Sequence, residues 1–371
     1  MQNGMPSSIV NNPPKRLLCI VSSMNRGGAE TFLMKMFRNV DRYNYIFDFC
    51  VTERGGAYEE EILSLGGKIF QYAKKSKHPI KSFVELRKII YDNSYDYVIR
   101  VNEHSLSTID LIAAKLGGAK HLIMRSSNAG SGPFMKRFTH RLFGFMPRII
   151  PTVKIAPSIK AGEYTFGHGF ELLNNGFPIE EYKYDTTARE SYRAELNIAD
   201  KFAIGHVGRF MTQKNHEYLI KIFAEIKKIK PNAILMLVGA GPLESRIKQQ
   251  IDLMGLGDSV IFLGQRDDVN KLYSAMDVFL FPSLYEGMPN TVLEAQASGL
   301  MCIISDSITA EAKVCDTVKL LGLNEPIIEW ASVAVEDYDR NKFAVDNLER
   351  LNDAGYDISD IVNRFTKLVF G

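Results

Sequence analysis

The chain has 371 residues, 46% apolar and 24% charged, the composition of a soluble globular protein too long for one ordinary core, so two domains are expected. No run approaches the roughly 20 uninterrupted apolar residues that cross a bilayer, which excludes a membrane-spanning chain. The net charge of +2 hides a basic first half, with 24 Lys and Arg against 15 Asp and Glu over residues 1–180 and 21 against 28 beyond; the charges are dispersed and no nucleic-acid motif accompanies them, which disfavours nucleic acid and points to an anionic membrane surface.

Residues 1–14 are polar and proline-bearing, without the apolar centre of a secretory signal, and read as a disordered leader. From there short apolar runs alternate with helical patterns. Strands are expected at 17–22, 45–52, 97–101, 121–125 and 153–156, separated by helices near 28–39, 57–65, 81–92, 106–116 and 157–166. Within 132–151 basic and aromatic residues interleave. Phe134, Phe138, Leu142 and Phe145 there fit either an interfacial helix on a membrane or ordinary core contacts at helical spacing, and the sequence leaves both open. A join is expected around 175–200, where Asn175-Gly176-Phe177-Pro178 marks a turn and a polar, charged stretch follows. The scheme then repeats, with strands at 202–207, 233–238, 260–263, 278–281 and 302–305 and helices near 216–229, 243–254, 268–275 and 291–298. Alternation of this kind predicts an α/β architecture of two doubly wound, mostly parallel sheets in tandem, over 15–180 and 181–355. The last segment, 356–371, carries apolar residues at helical spacing and is expected to pack back toward the first domain. Cys19, Cys50, Cys302 and Cys315 are scattered, as reduced thiols of a cytoplasmic protein would be, and suggest no disulfide or metal cluster.

The chemistry gathers in loops that follow strands. Glu286 and Glu294 stand eight residues apart in a loop that runs from a buried strand into a helix. Gly287 and the N–H groups of Asn290 and Thr291 are thereby placed at a helix N-terminus, where an anion such as a diphosphate is stabilised. The two carboxylates can each accept hydrogen bonds from a hydroxyl pair, one on a sugar and one on a ribose. After the first strand, Gly27 and Gly28 let backbone amides approach an anion, although a glycine pair alone is as well explained by a tight turn. Gly208-Arg209 followed by Lys214 puts a guanidinium fork and a point charge where both can meet one diphosphate, although two cations in a loop are by themselves better explained as solvated side chains. Gly239-Ala240-Gly241-Pro242 forms another glycine-bearing turn of the same type. His104, at the end of a first-domain strand, is by itself as consistent with a structural histidine.

Taken in order, Gly208-Arg209 with Lys214, Val238-Gly239-Ala240-Gly241-Pro242, Phe262-Leu263-Gly264, Pro282-Ser283 and Glu286 through Glu294 resemble the retaining glycosyltransferases of the GT-B fold. Within them the pattern is similar to the family-four, or glycosyl transferases group 1, class of bacterial exopolysaccharide and capsule enzymes. The resemblance runs from about residue 16 to the end and is strongest over 203–311.

The resemblance implies two Rossmann-like domains facing across a cleft and transfer of a sugar, with retention, from a nucleotide-diphosphate donor, a UDP-sugar by expectation. The acceptor would be a lipid-linked glycan at the inner leaflet of the cytoplasmic membrane, the protein being cytoplasmic and peripheral. Arg209 and Lys214 would hold the diphosphate and stabilise its charge, with no metal or other cofactor expected. Glu294 would bind the ribose and Glu286 the donor sugar, with Gly208, Gly241, Gly287, Met288, Pro289 and Asn290 around sugar and phosphate and Gly27 and Gly28 in the donor-side glycine loop. His104 would stand near the donor sugar. Two departures touch this picture: Ser126-Ser127-Asn128 replaces a histidine-containing turn, and Ser305-Asp306-Ser307 replaces a glycine-rich loop, with Glu311 nearby. A nucleotide-sugar epimerase or a phosphorylase of the same fold, or a non-catalytic partner of a transferase, are the alternatives.

Overall fold

Runs of Leu, Ile, Val and Phe without polar alternation require cover on both faces, which an all-parallel sheet between helices supplies. The computed structural model describes residues 13–102, 105–126 and 143–371, and in it these runs pair into two such sheets. The chain divides into two compact units, Met1–Leu173 with Val362–Gly371, and Asn174–Ile361.

The first unit is built on β1 (Lys15–Ile20), β2 (Tyr45–Val51), β3 (Ile69–Gln71), β4 (Tyr97–Asn102), β5 (His121–Ser126), β6 (Val153–Ala156) and β7 (Glu171–Leu172). Their order is β3-β2-β1-β4-β5-β6-β7, every pair parallel. The chain moves outward from β1 in one direction, then returns to β1 and moves outward in the other. Leu17, Leu18, Cys19 and Ile20 of this central strand are wholly buried. The final helix, Ile358–Phe370, contributes to this unit from Val362 onward. Phe365 meets Phe32 and Phe47 with ring centres 6.0 and 5.9 Å away, and Phe370 lies 4.5 Å from Tyr45.

The second unit holds β8 (Phe202–Val207), β9 (Ala233–Val238), β10 (Val260–Gly264), β11 (Val278–Phe281), β12 (Met301–Ser305) and β13 (Val318–Leu321), ordered β10-β9-β8-β11-β12-β13 and again all parallel. Successive side chains of each strand enter opposite cores. Met236, Phe279, Phe281 and Ile304 face one helix layer, and Leu235, Leu280 and Ile303 face the other together with Trp330. Residues just past Leu173 already belong here: Phe177 is buried with Leu293, Leu351 and Tyr356, and it forms a bridge with Asp357.

Three strands, β3, β7 and β13, extend the sequence-based pattern. Each is short and lies at a sheet edge, and exposed residues such as Glu171, Leu172, Lys319 and Leu320 break the apolar run that marks a central strand. The helices Ile327–Ala334 and Arg340–Asp353 likewise join the elements expected from the sequence. Among the described residues no helix is long and apolar enough to cross a membrane. All four cysteines are buried and free.

Candidate active site

In a doubly wound sheet, the two strands on either side of the reversal in chain direction send their following loops to opposite faces, and the crevice between those loops at the carboxyl ends accepts ligands. In the second unit these strands are β8 and β11, paired through Ile204↔Val278 and Gly205↔Phe279. The loop after β8 carries Gly208, Arg209 and Lys214, and the loop after β11 carries Glu286 through Asn290. Topology therefore brings together two segments about seventy residues apart in the chain.

Three hydrogen bonds fasten the loops to each other. Leu284 donates its N–H to the Gln213 carbonyl at 2.8 Å, the Gln213 amide donates to the Tyr285 carbonyl at 2.9 Å, and the Asn215 amide donates to the Pro282 carbonyl at 3.1 Å. Asn215 adopts a left-handed conformation at φ 55°, one that asparagine tolerates better than most residues. Across this seam the Lys214 ammonium donates to Glu286 Oε1 at 2.7 Å and sits 4.5 Å from the centre of the Phe281 ring. Only 18% of the lysine side chain and 10% of the glutamate side chain remain exposed. Arg209, by contrast, is exposed and has no ion pair among the described residues. One cation is thus held in place by a carboxylate while the other stands in solvent beside it in the same loop.

Two histidines absent from the sequence-derived site lie behind Lys214. His206, on β8, is wholly buried with Nδ1 2.8 Å from the Leu280 carbonyl, and His216 stacks on Phe210 with ring centres 4.3 Å apart. Burial pushes His206 well below the ordinary histidine range and His216 down to about 4, and the neighbouring Lys214 charge acts in the same direction. Both are neutral near pH 7, so they add no positive charge behind the lysine. Their only sequence signal is position, two residues before Gly208 and two after Lys214.

The glycines of the site divide by cause. A Cβ on Gly239, whose φ is +137°, would stand 2.2 Å from the Gly208 carbonyl oxygen, and one on Gly241 would stand 2.6 Å from that of Phe210. These two residues let the loop after β9 lie directly on the loop after β8. Gly287 is exposed, with nothing within 4 Å of where its Cβ would be. Next to it, Met288 packs into the core and Pro289 is buried as the residue before the helix Asn290–Ala297, so what these two offer a ligand is backbone. The Asn290 side chain is half-buried, its Oδ1 3.5 Å from the Asn175 amide nitrogen.

Glu294 lies one turn into that helix, half-buried, with two phenols beside it. The Tyr273 hydroxyl is 3.1 Å from Glu294 Oε2 and 3.2 Å from the Thr291 carbonyl, and Tyr182 lies near enough to the same carboxylate to feel its charge. Burial, reinforced by the Glu294 charge, raises the pKa of both tyrosines, so they stay protonated as donors. Tyr182 and Tyr273 are further components of the site that the motif does not contain.

Gly27 and Gly28 belong to the first unit, at the equivalent point after its own central strand β1. Gly27 precedes the helix Gly28–Asn39, and a Cβ there would stand 2.3 Å from a Glu30 carboxylate oxygen; Gly28 is exposed and open. His104 lies outside the described residues, as does 127–142, which includes most of the aromatic and basic stretch. Of the remainder of that stretch, Phe145 and Ile149 are exposed.

A cavity of about 580 Å³ opens at the opposite end of the second sheet, beside the first residues of β8, β11 and β12. Its charges largely satisfy one another: Arg189 and Arg193 both pair with Asp277, at 2.5 and 3.2 Å, and Arg340 donates to the carbonyls of Tyr273, Ser274, Met276 and Ser298. It lies at the amino ends of the strands, away from the crevice.

Residues 188–323 match the model of the family described as glycosyl transferases group 1. Over 365 residues the chain is 35% identical to the "Putative glycosyltransferase EpsF" of Bacillus subtilis (strain 168), covering 94% of each. It is 26% identical over 244 residues to the UDP-Gal:alpha-D-GlcNAc-diphosphoundecaprenol alpha-1,3-galactosyltransferase of Escherichia coli, covering 61% of this chain and 62% of that one. Among solved structures it resembles Anabaena Alr3699/HepE, crystallised in complex with UDP, with a TM-score of 0.79 at 20% identity over 95% of this chain and 98% of the other. The fold is GT-B. The chain belongs to the glycosyl transferases group 1 family and is a glycosyltransferase.

Proposed function

We propose that the protein transfers a sugar, with retention of anomeric configuration, from a UDP-sugar to a lipid-linked glycan in the assembly of a bacterial exopolysaccharide or capsule. It does so as a peripheral protein at the cytoplasmic face of the membrane. The observation that carries the reading is the seam at the β8–β11 switch point, where the loop bearing the paired Lys214 and the exposed Arg209 is fastened to the loop that carries Glu286 and leads into the helix Asn290–Ala297 with Glu294.

In this reading Glu294, held by Tyr273, accepts hydrogen bonds from the ribose hydroxyls. The N-terminal end of the helix Asn290–Ala297 and the exposed guanidinium of Arg209 receive the diphosphate. Lys214, held by Glu286, places its charge beside the oxygen that becomes the leaving group. As the bond from the anomeric carbon to phosphate breaks, its electron pair stays on the phosphate oxygen, where these groups stabilise it; an arrangement of this kind needs no metal. The acceptor hydroxyl attacks the anomeric carbon from the face the phosphate is leaving, and its proton passes to that phosphate. Glu286 and Glu294 are not assigned the acid and nucleophile roles of a glycosidase pair. Support for the acceptor comes from the E. coli relative, whose name specifies a diphosphoundecaprenol-linked sugar, and support for a membrane surface from the basic first half of the chain.

Three measurements test the reading. A panel of UDP-, GDP- and TDP-sugars is expected to raise the melting temperature only for the UDP compounds, since a ligand that binds the native state alone stabilises it. Glu294→Gln is expected to weaken donor binding in calorimetry, because a neutral amide accepts more weakly than a carboxylate. Unchanged binding by that variant would remove the ribose assignment, and product of inverted configuration by NMR would remove retention.

A further inference from the structure

The helix Pro79–Asp92 is apolar on two opposite sides. Ser82, Leu86 and Ile90 face inward and are buried. At 100° per residue the opposite side is led by Ile80, Val84 and Tyr91, which are 80%, 55% and 73% exposed. Cations flank this outer apolar line. Arg87 lies along one side and Lys81 and Lys88 along the other, with Lys77 just before the first turn, and all four are exposed. The acids of the helix stand at one margin and are engaged: Glu85 accepts from the Ala73 N–H at 2.7 Å and lies 3.7 Å from Lys81, and Asp92 pairs with Lys88 at 2.7 Å. The Arg87 guanidinium donates to the Leu116 carbonyl at 3.1 Å, which joins the stripe to the exposed pair Lys115 and Leu116.

A solvated helix face keeps its long apolar side chains inward, so three of them projecting in register call for cover. We infer that this helix is the face that docks the protein on an anionic lipid surface, with Ile80, Val84 and Tyr91 entering the headgroup layer and Lys77, Lys81, Arg87 and Lys88 meeting lipid phosphates. Charge selects the occupant. A second copy of the chain would bring the same cations face to face, and a nucleic acid would gain nothing from the protruding aliphatic groups, whereas an anionic bilayer complements both. The inference deepens the membrane-facing part of the proposed function and rests on it.

The test is flotation of the full chain with vesicles of phosphatidylcholine, alone or mixed equally with phosphatidylglycerol. The wild type should float with the anionic vesicles and remain behind with the neutral ones. The triple variant Lys81→Gln, Arg87→Gln, Lys88→Gln should lose about a hundredfold in apparent affinity, at roughly fivefold per cation. Ile80→Ser, Val84→Ser, Tyr91→Ser should lose at least tenfold. All six positions are solvent-facing, so both variants should keep the wild-type melting temperature and its rise with UDP. Flotation of both variants at the wild-type level would overturn the assignment, as would a dimer in sedimentation that the serine variant dissolves. A wild type that stays behind while UDP still stabilises it removes the docking face and leaves the transferase reading standing. Flotation without any nucleotide stabilisation does the reverse.

Discussion

Replacing Lys214 by Met retains the aliphatic stem against the Phe281 ring and removes the charge. Glu286 is then left with a carboxylate 10% exposed and no cation at 2.7 Å. The gross attraction across that distance is about 6 kcal/mol at an effective dielectric constant near 20, most of it cancelled by the desolvation of both groups. Stranding one member of a fully buried pair costs about 3–5 kcal/mol, and the residual exposure of this one lowers the expected loss to about 2–3 kcal/mol. Glu286→Gln leaves an ammonium that can still reach solvent and should cost less, about 1–2 kcal/mol. The double variant should fall short of the sum by at least about 1 kcal/mol, because each single change already forfeits the same contact. Urea unfolding followed by tryptophan fluorescence suits the measurement, since the only tryptophan, Trp330, is fully buried in the second unit and reports on its unfolding. Turnover should fall by a factor of about 100 to 1,000 in Lys214→Met if the ammonium stabilises the leaving diphosphate. Strictly additive stability changes would show that the pair does not form in solution, and the account of how the two loops are joined would fail with it.

Three further outcomes follow from the same geometry. Gly239→Ala should destabilise the second unit by more than about 3 kcal/mol, because its new methyl would stand 2.2 Å from the Gly208 carbonyl oxygen at a φ of +137°; Gly287→Ala, with open space around it, should change stability by less than about 0.5 kcal/mol, and urea unfolding compares the two directly. As pH falls through about 6.5 the unfolded chain protonates His216 while the folded imidazole stays neutral down to about 4. From His216 alone stability should therefore be lost progressively across that window, by roughly 3 kcal/mol; the more strongly depressed His206 adds to the loss, so His216→Phe should reduce, without abolishing, the dependence of the urea midpoint on pH. Tyr273→Phe removes a donor to Glu294, so in calorimetry it should narrow the wild-type preference for UDP over 2′-deoxy-UDP, whereas a general loosening of the fold would weaken both nucleotides equally.

Much of this architecture is legible in the sequence because a parallel strand covered on both faces reads as an uninterrupted apolar run. Leu17–Ile20 and Ala233–Val238 are of this kind, and both lie at or next to the centre of their sheets. The edge strands β3, β7 and β13 lack that cover and hence lack the signal. The site divides in the same way. Strand-to-helix loops and the spacing of Glu286 and Glu294 are local and can be read directly. The partners that give those carboxylates their setting are distant in the chain: Lys214 is 72 residues from Glu286, and Tyr273 is 21 from Glu294. A tyrosine in a helix carries no mark of which acid it will meet, since that depends on how two helices are brought together by the sheet beneath them.

Glycine shows why a motif underdetermines a site even where every residue in it is in place. In sequence, Gly239, Gly241 and Gly287 are alike: each follows a strand and precedes a helix. In the fold, the missing side chains at 239 and 241 make room for the backbone of Gly208 and Phe210, while that at 287 leaves open surface next to Glu286. In the proposed reading the first two would act on a ligand by setting the path of the loop that bears Arg209 and Lys214, and the third would be open to direct approach. A substitution at 239 or 241 should therefore lower stability and nucleotide binding together, and one at 287 should lower binding alone. That difference separates a glycine kept for packing from one kept for the substrate, and no sequence pattern contains it.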